Sequence, residues 1–229
     1  MIALSCGDGT IKVWRPSNPL DNYDIQQHIF NFKDKITSIS WHPTLPGVIA
    51  FGTENGDVGV FNDERNGWAI VSSKKHTKAV YSLAWGPRCY KRGESAEDED
   101  KAEENPEDAS EDIADKDKFY LYSLGSTDGM KRKILMHSYK MACRLENVRG
   151  KTFENSVPGD DVGTLTAAEG FELHNATDMR WSSDMKYLAV GVYQGDIHIF
   201  AVPHMNLLLT LKASADSINT LAWYVYTML

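Results

Sequence analysis

The 229-residue chain contains no long hydrophobic run; its apolar stretches are short, such as Val48-Ile49-Ala50-Phe51 and Leu207-Leu208-Leu209. A membrane-spanning helix needs about 20 consecutive apolar residues. No such span is written here, and no membrane partner is expected. Met1 to Gly9 carries neither a basic cluster nor an apolar stretch of secretory length. Cysteine is scarce: Cys6, Cys89 and Cys143 are far apart and odd in number, with no Cys-x-x-Cys pair. A disulfide framework or zinc site has nothing to stand on, and reduced thiols of the cytosol or nucleus are expected.

Catalytic patterns are equally absent. The histidines at 28, 42, 76, 137, 174, 198 and 204 never stand at i, i+4 from another His or a Glu. There is no Gly-x-Ser-x-Gly elbow. The doubled glycines fall in strand turns rather than between a strand and a helix, which removes phosphate-loop and dinucleotide readings. The chain reads as a non-enzyme, with no cofactor and no metal.

The formal charge of -8 is localised. Residues 94–118 hold thirteen carboxylates and three lysines, a net of -10, leaving +2 for the rest. That segment has no aromatic residue before Phe119. It lacks the apolar surface to offset the entropy of ordering, so a disordered loop is expected. The remaining body is near neutral, a charge that neither excludes nucleic-acid binding nor supplies a strong basic field for it.

What the sequence does contain is repetition. A short apolar strand ends in Trp four times: Ile36 to Trp41, Val80 to Trp85, Ala176 to Trp181 and Ile218 to Trp223. Interleaved with it is a glycine-flanked turn followed by an alternating strand. This second unit begins at Gly7, Gly52, Gly125 and Gly191. Trp41 to Trp85 is 44 residues, Trp181 to Trp223 is 42, and Trp85 to Trp181 is 96. The long interval holds the acidic loop and a second insertion around 146–172. A period of about 40–45 residues with several strands per period is the signature of a WD40-type β-propeller.

The fold expectation is therefore all-β, with blades at 36–74, 79–145 and 176–212. A partial blade is expected over 1–32, an insertion over 146–175, and the first strand of a further blade over 217–229. Four-odd blades do not close a ring of the usual seven, so the chain reads as a fragment of a longer propeller. Five of the six tryptophans occupy repeat positions and read as core. Trp68 reads as the opening of an outer strand. His76 lies nine residues before Trp85 and reads as a structural histidine bonded to the turn Asp. Tyr23 sits in the loop Pro16 to Asp24, where an exposed aromatic could stack on a nucleobase. Basic clusters occur at Lys74 to Lys78, Arg88 to Arg92 and Lys131-Arg132-Lys133.

The runs Gly7 to Trp14, Asn22-Tyr23-Asp24, Trp41-His42-Pro43-Thr44, Ala50 to Gly59 and Val80 to Pro87 resemble the N-terminal propeller region of the gem-associated protein 5 family. So do Leu188 to Phe200 and Asn219 to Trp223. The resemblance implies two tandem seven-bladed propellers in an RNA-recognition subunit of the survival-of-motor-neuron complex. It implies capped small nuclear RNA and other subunits of that complex as partners, with Sm-site and methylguanosine-cap recognition serving spliceosomal particle assembly. Cytoplasm and nucleus, including nuclear gems, would be the locations. It implies a cap-site aromatic at Tyr23. Ile134 stands where the family often has Trp or Tyr closing the third strand. A protein-binding scaffold with no RNA role is the competing reading, because propellers host many functions.

Overall fold

The computed structural model describes residues 1–14, 28–62, 67–70, 76–89, 119–126, 132–140, 164–167, 171–172 and 175–224. The described elements are all strands, arranged in four antiparallel sheets. The chain divides into two compact units, Met1–Trp85 with Leu121–Ala176, and Gly86–Tyr120 with Thr177–Leu229.

The first unit begins with a three-stranded sheet of β1 (Ile2–Ser5), β2 (Thr10–Trp14) and β3 (His28–Asn31). A four-stranded sheet follows: β4 (Ile36–Trp41), β5 (Val48–Thr53), β6 (Val58–Asn62) and β7 (Gly67–Ile70). Trp68 lies in β7, its Cα opposite Phe61. β5 and β6 are buried along their whole length. Their β-branched and aromatic residues suit a pleated surface covered on both faces. Ile11, Val13, Phe32, Ile36, Ile49, Phe51 and Phe61 form one cluster. Phe32 is the hub, its ring 5.2 Å from Phe51 and edge-on to Trp68 at 5.5 Å. Each such side chain contributes about 1.5–3 kcal/mol by leaving water.

A third sheet runs β8 (Val80–Gly86), β9 (Tyr120–Ser126), β10 (Arg132–Lys140) and β11 (Thr164–Ala167), with β12 (Phe171–Glu172) also on β10. This corrects the reading of 146–175 as an insertion. β11 pairs with 137–140 and β12 with 133–134, so the outer strand of this blade comes from inside that stretch. Two- and four-residue strands are too short to show a period of 2 in the sequence. The acidic 94–118 segment lies outside the described residues.

The second unit carries β13 (Ala176–Trp181), β14 (Tyr187–Val192), β15 (Asp196–Ala201) and β16 (Asn206–Lys212). Residues 218–223, expected as a strand, form none. They dock instead through single bonds: Ile218 N donates to Val192 O, Leu221 N to Asp178 Oδ2, and Trp223 Nε1 to Arg180 O. A strand needs a continuous ladder, and these bonds are scattered.

One device recurs in both units. Gly9, Gly56 and Gly195 adopt φ of 86°, 89° and 85°. A Cβ at each would collide with the carbonyl oxygen of Phe32, His76 and Ser214 respectively. That closeness lets Gly9 O accept from Phe32 N at 2.8 Å, Gly56 O from His76 N at 3.2 Å and Gly195 O from Ser214 N at 3.0 Å. The turn glycine of each repeat therefore grips the segment leading onward, and only Gly fits both the dihedral and the approach.

Candidate nucleic-acid interface

The second residue of each Trp-ending strand occupies an equivalent place. It is Thr37 in β4, Tyr81 in β8 and Thr177 in β13. The two threonines bond backbone. Thr37 Oγ1 donates to Val80 O at 2.7 Å, with Gly52 O at 3.1 Å, and Thr177 Oγ1 donates to Gly191 O at 3.0 Å. Tyr81 is the exception. It is 42% exposed on a strand whose other residues are all buried. The Arg132 guanidinium lies over its ring, Cζ 4.2 Å from the centroid. Arg132, the first residue of β10, also donates through Nη1 to Ala176 O.

This is an oriented pair rather than two loose side chains. The backbone carbonyl fixes the guanidinium, and the guanidinium fixes one face of the phenol ring by cation–π attraction. The pair offers a flat aromatic surface and an adjacent positive charge, the combination that holds an unpaired base and its phosphate. Of the basic clusters in the sequence, Lys131-Arg132-Lys133 contributes Arg132 to this pair. Arg88 instead lies over Tyr120, Cζ 5.6 Å from that ring. The sequence reading missed Tyr81. The signal was present in the repeats, which place Thr37, Thr177 and Asn219 at the same register.

A second polar group is buried in this unit. His76 Nε2 is 2.9 Å from Ser123 Oγ, which is 2.7 Å from His137 Nε2. All three residues are buried. His76 is buried with Ser123 as its described side-chain partner; the turn Asp expected for it, at position 128, lies outside the described residues. Burial pushes the His76 imidazole down to about 4. His137 falls to about 3, through burial first and repulsion by His76 second. Both rings are neutral near pH 7, so the group is a hydrogen-bonded core rather than an acid–base site. Ile134 is fully buried, β10 continues past it, and His137 reaches β9 through its hydrogen bond with Ser123.

Trp85 is buried and donates Nε1–H to Ser40 O at 3.2 Å; its ring lies 4.5 Å from His42. Trp181 is buried and fills the space against Gly86 within the second unit. Tyr23 lies outside the described residues. Among the described residues no group of three or more His, Cys, Asp or Glu could hold a metal ion. No described helix is long and apolar enough to cross a membrane.

Residues 162–226 match the family model of the anaphase-promoting complex subunit 4 WD40 domain. Gem-associated protein 5 of Homo sapiens is 30% identical over 224 residues, covering 97% of this chain and 13% of that protein. The Mus musculus protein of the same name matches with the same identity and coverage. Component of gems protein 5 of Dictyostelium discoideum is 33% identical over 90 residues, 37% of this chain and 7% of that protein. The chain thus spans about 13% of the length of the two mammalian relatives. Strand topology, repeat spacing and these matches together make the chain a set of WD40-type β-propeller blades, similar along nearly its whole length to gem-associated protein 5.

Proposed function

We propose that the chain is the RNA-binding part of a WD40 subunit of the survival-of-motor-neuron complex, acting in the cytoplasm and nucleus. Its ligand would be capped small nuclear RNA, held for assembly of spliceosomal particles. The observation that carries this is the exposed Tyr81 with Arg132 stacked on one face. The name of the mammalian relatives supports the complex, and the stacking surface supports the nucleic acid. The role is recognition rather than catalysis. Tyr23 is a second proposed contact, argued from the resemblance around Asn22-Tyr23-Asp24 and from its sequence position after two prolines.

The test is fluorescence anisotropy of capped and uncapped small nuclear RNA on the protein and on its Tyr81→Thr variant. Thr at this place copies Thr37 and Thr177. The expected result is loss of RNA affinity with an unchanged melting temperature. Unchanged affinity would instead favour the protein-binding scaffold. A Tyr23→Ala variant assayed alongside it decides whether that loop shares the site.

A further inference from the structure

Tyr81 and Arg132 both stand at strand beginnings. Tyr81 is the second residue of β8, the edge strand of its sheet, and Arg132 opens β10. Strand ends are where local opening costs least, so the ladder alone holds neither partner firmly. An exposed phenol and a guanidinium keep a fixed geometry only where the backbone beneath them is fixed.

The backbone is fixed just ahead of β8. The residue gripped by each turn glycine lies five positions before the second residue of a Trp-ending segment: Phe32 before Thr37, His76 before Tyr81, Ser214 before Asn219. Phe32 packs into an apolar cluster. His76 instead turns its ring onto the end of β9. A Cβ at Gly125 would meet that ring at 2.5 Å, so the imidazole occupies the place a side chain would take. Its Nε2 lies 2.9 Å from Ser123 Oγ. The next residue, Thr77, donates to Ser126 O through its N–H at 2.8 Å and through Oγ1 at 3.3 Å. Ser123, Gly125 and Ser126 all belong to the second half of β9, and Ser126 is six residues before Arg132. From the other side, His137 of β10 reaches the same Ser123 hydroxyl at 2.7 Å.

That hydroxyl serves two rings with one proton. It donates to the Nε2 of one neutral imidazole and accepts the Nε2–H of the other. The two bonds cross β9 and join the segment entering β8 to β10, strands that are not neighbours in the sheet. We infer that Ser123, with His76, is a positioning residue for the Tyr81–Arg132 pair, holding the start of β8 against β10 at the spacing the stack requires. The regular blade has Phe32 and Ala50 at these two places, so it has no such bridge, and it carries Thr37 where the irregular one carries Tyr81. The effect of the bridge on binding rests on the RNA reading.

The stacked pair has its own spectroscopic signature. The ring current of Tyr81 displaces the Arg132 Nε–H resonance, which nitrogen-15 NMR of the whole chain records and an Arg132→Lys variant identifies. Tyr81→Thr gives the position of that resonance with no ring beside it. Ser123→Ala removes the bridge, and His76→Phe removes one end of it while copying Phe32. The expected result is that both variants move the resonance most of the way to its Tyr81→Thr position. Ser123→Thr, which keeps the hydroxyl, should leave it in place. Affinity for small nuclear RNA, measured well below the melting temperature, should fall roughly 2- to 10-fold in Ser123→Ala, the cost of re-ordering one side chain on binding. It should recover in Ser123→Thr, and Ser123→Ala should add nothing to the loss already present in Tyr81→Thr. A resonance unmoved in whichever of Ser123→Ala and His76→Phe folds would overturn the proposal, as would an affinity loss that adds to that of Tyr81→Thr. A moved resonance with RNA affinity unchanged by Tyr81→Thr would uphold the positioning role and count against the RNA reading alone.

Discussion

The sheets β4–β7 and β8–β12 are built on the same repeat, and they differ in what their interiors hold. The first has short turns and an interior strand pair buried throughout, with Phe51 and Phe61 at its centre. The second interrupts the repeat twice in sequence, puts two histidines and a serine at its centre, and exposes an aromatic on its Trp-ending strand. The comparison teaches that the regular blade supplies stability through apolar burial. The irregular one buries β9 just as completely but sets Ser123 and His137 among its apolar residues, and it presents an exposed aromatic on its Trp-ending strand.

The largest expected effect tests the regular blade. Phe51 is fully buried, touches Phe32, and fills the space that the missing side chain of Gly59 leaves open. Phe51→Ala should cost about 3–5 kcal/mol, through lost transfer energy and the cavity left behind. Urea denaturation measures it. A loss under about 1 kcal/mol would mean the core collapses around the gap.

Next comes the polar core of the irregular blade. Ser123→Ala removes the hydroxyl that both His76 and His137 share. Two buried ring nitrogens lose their partner, at a cost of about 1–3 kcal/mol. Acid should act on the same place. His76, His137 and half-buried His42 are held neutral by burial, at about 4, 3 and 4 respectively. Unfolded, each titrates near its ordinary value of about 6.5. The unfolded state therefore binds more protons, and stability should be complete above about pH 6.5 and fall progressively toward pH 4. Asp8 and Asp184 are lowered by hydrogen bonds to Thr10 and Ser182 and lie below that window. Melting temperatures at pH 7.5, 6 and 5 check the slope; a flat profile would show that water reaches the rings.

The smallest stability effect belongs to the candidate interface. Tyr81→Thr should change stability by no more than about 0.5 kcal/mol, as an exposed substitution does. The same change should weaken RNA binding by about 1–3 kcal/mol, the worth of one stacked base. Equal losses of stability and binding would make Tyr81 a packing residue and erase the contrast between the two blades.

Sequence alone determined the fold class. Trp-ending strands and glycine turns recur at 42–44 residues, and period and residue chemistry agree. Gly9, Gly56 and Gly195 could be placed at turns because glycine takes positive φ at the least steric cost; that each also grips an onward segment was decided by the tertiary structure. The outer strands β11 and β12 were not legible, because four residues and two do not carry a periodic signal. Nor was Ser123 as the partner of both His76 and His137, since 47 and 14 residues separate it from them. The candidate site divides in the same way. Tyr81 breaks the Thr pattern in the sequence itself. Its pairing with Arg132 across 51 positions arises only because β8, β9 and β10 lie side by side, and tertiary structure alone sets that proximity.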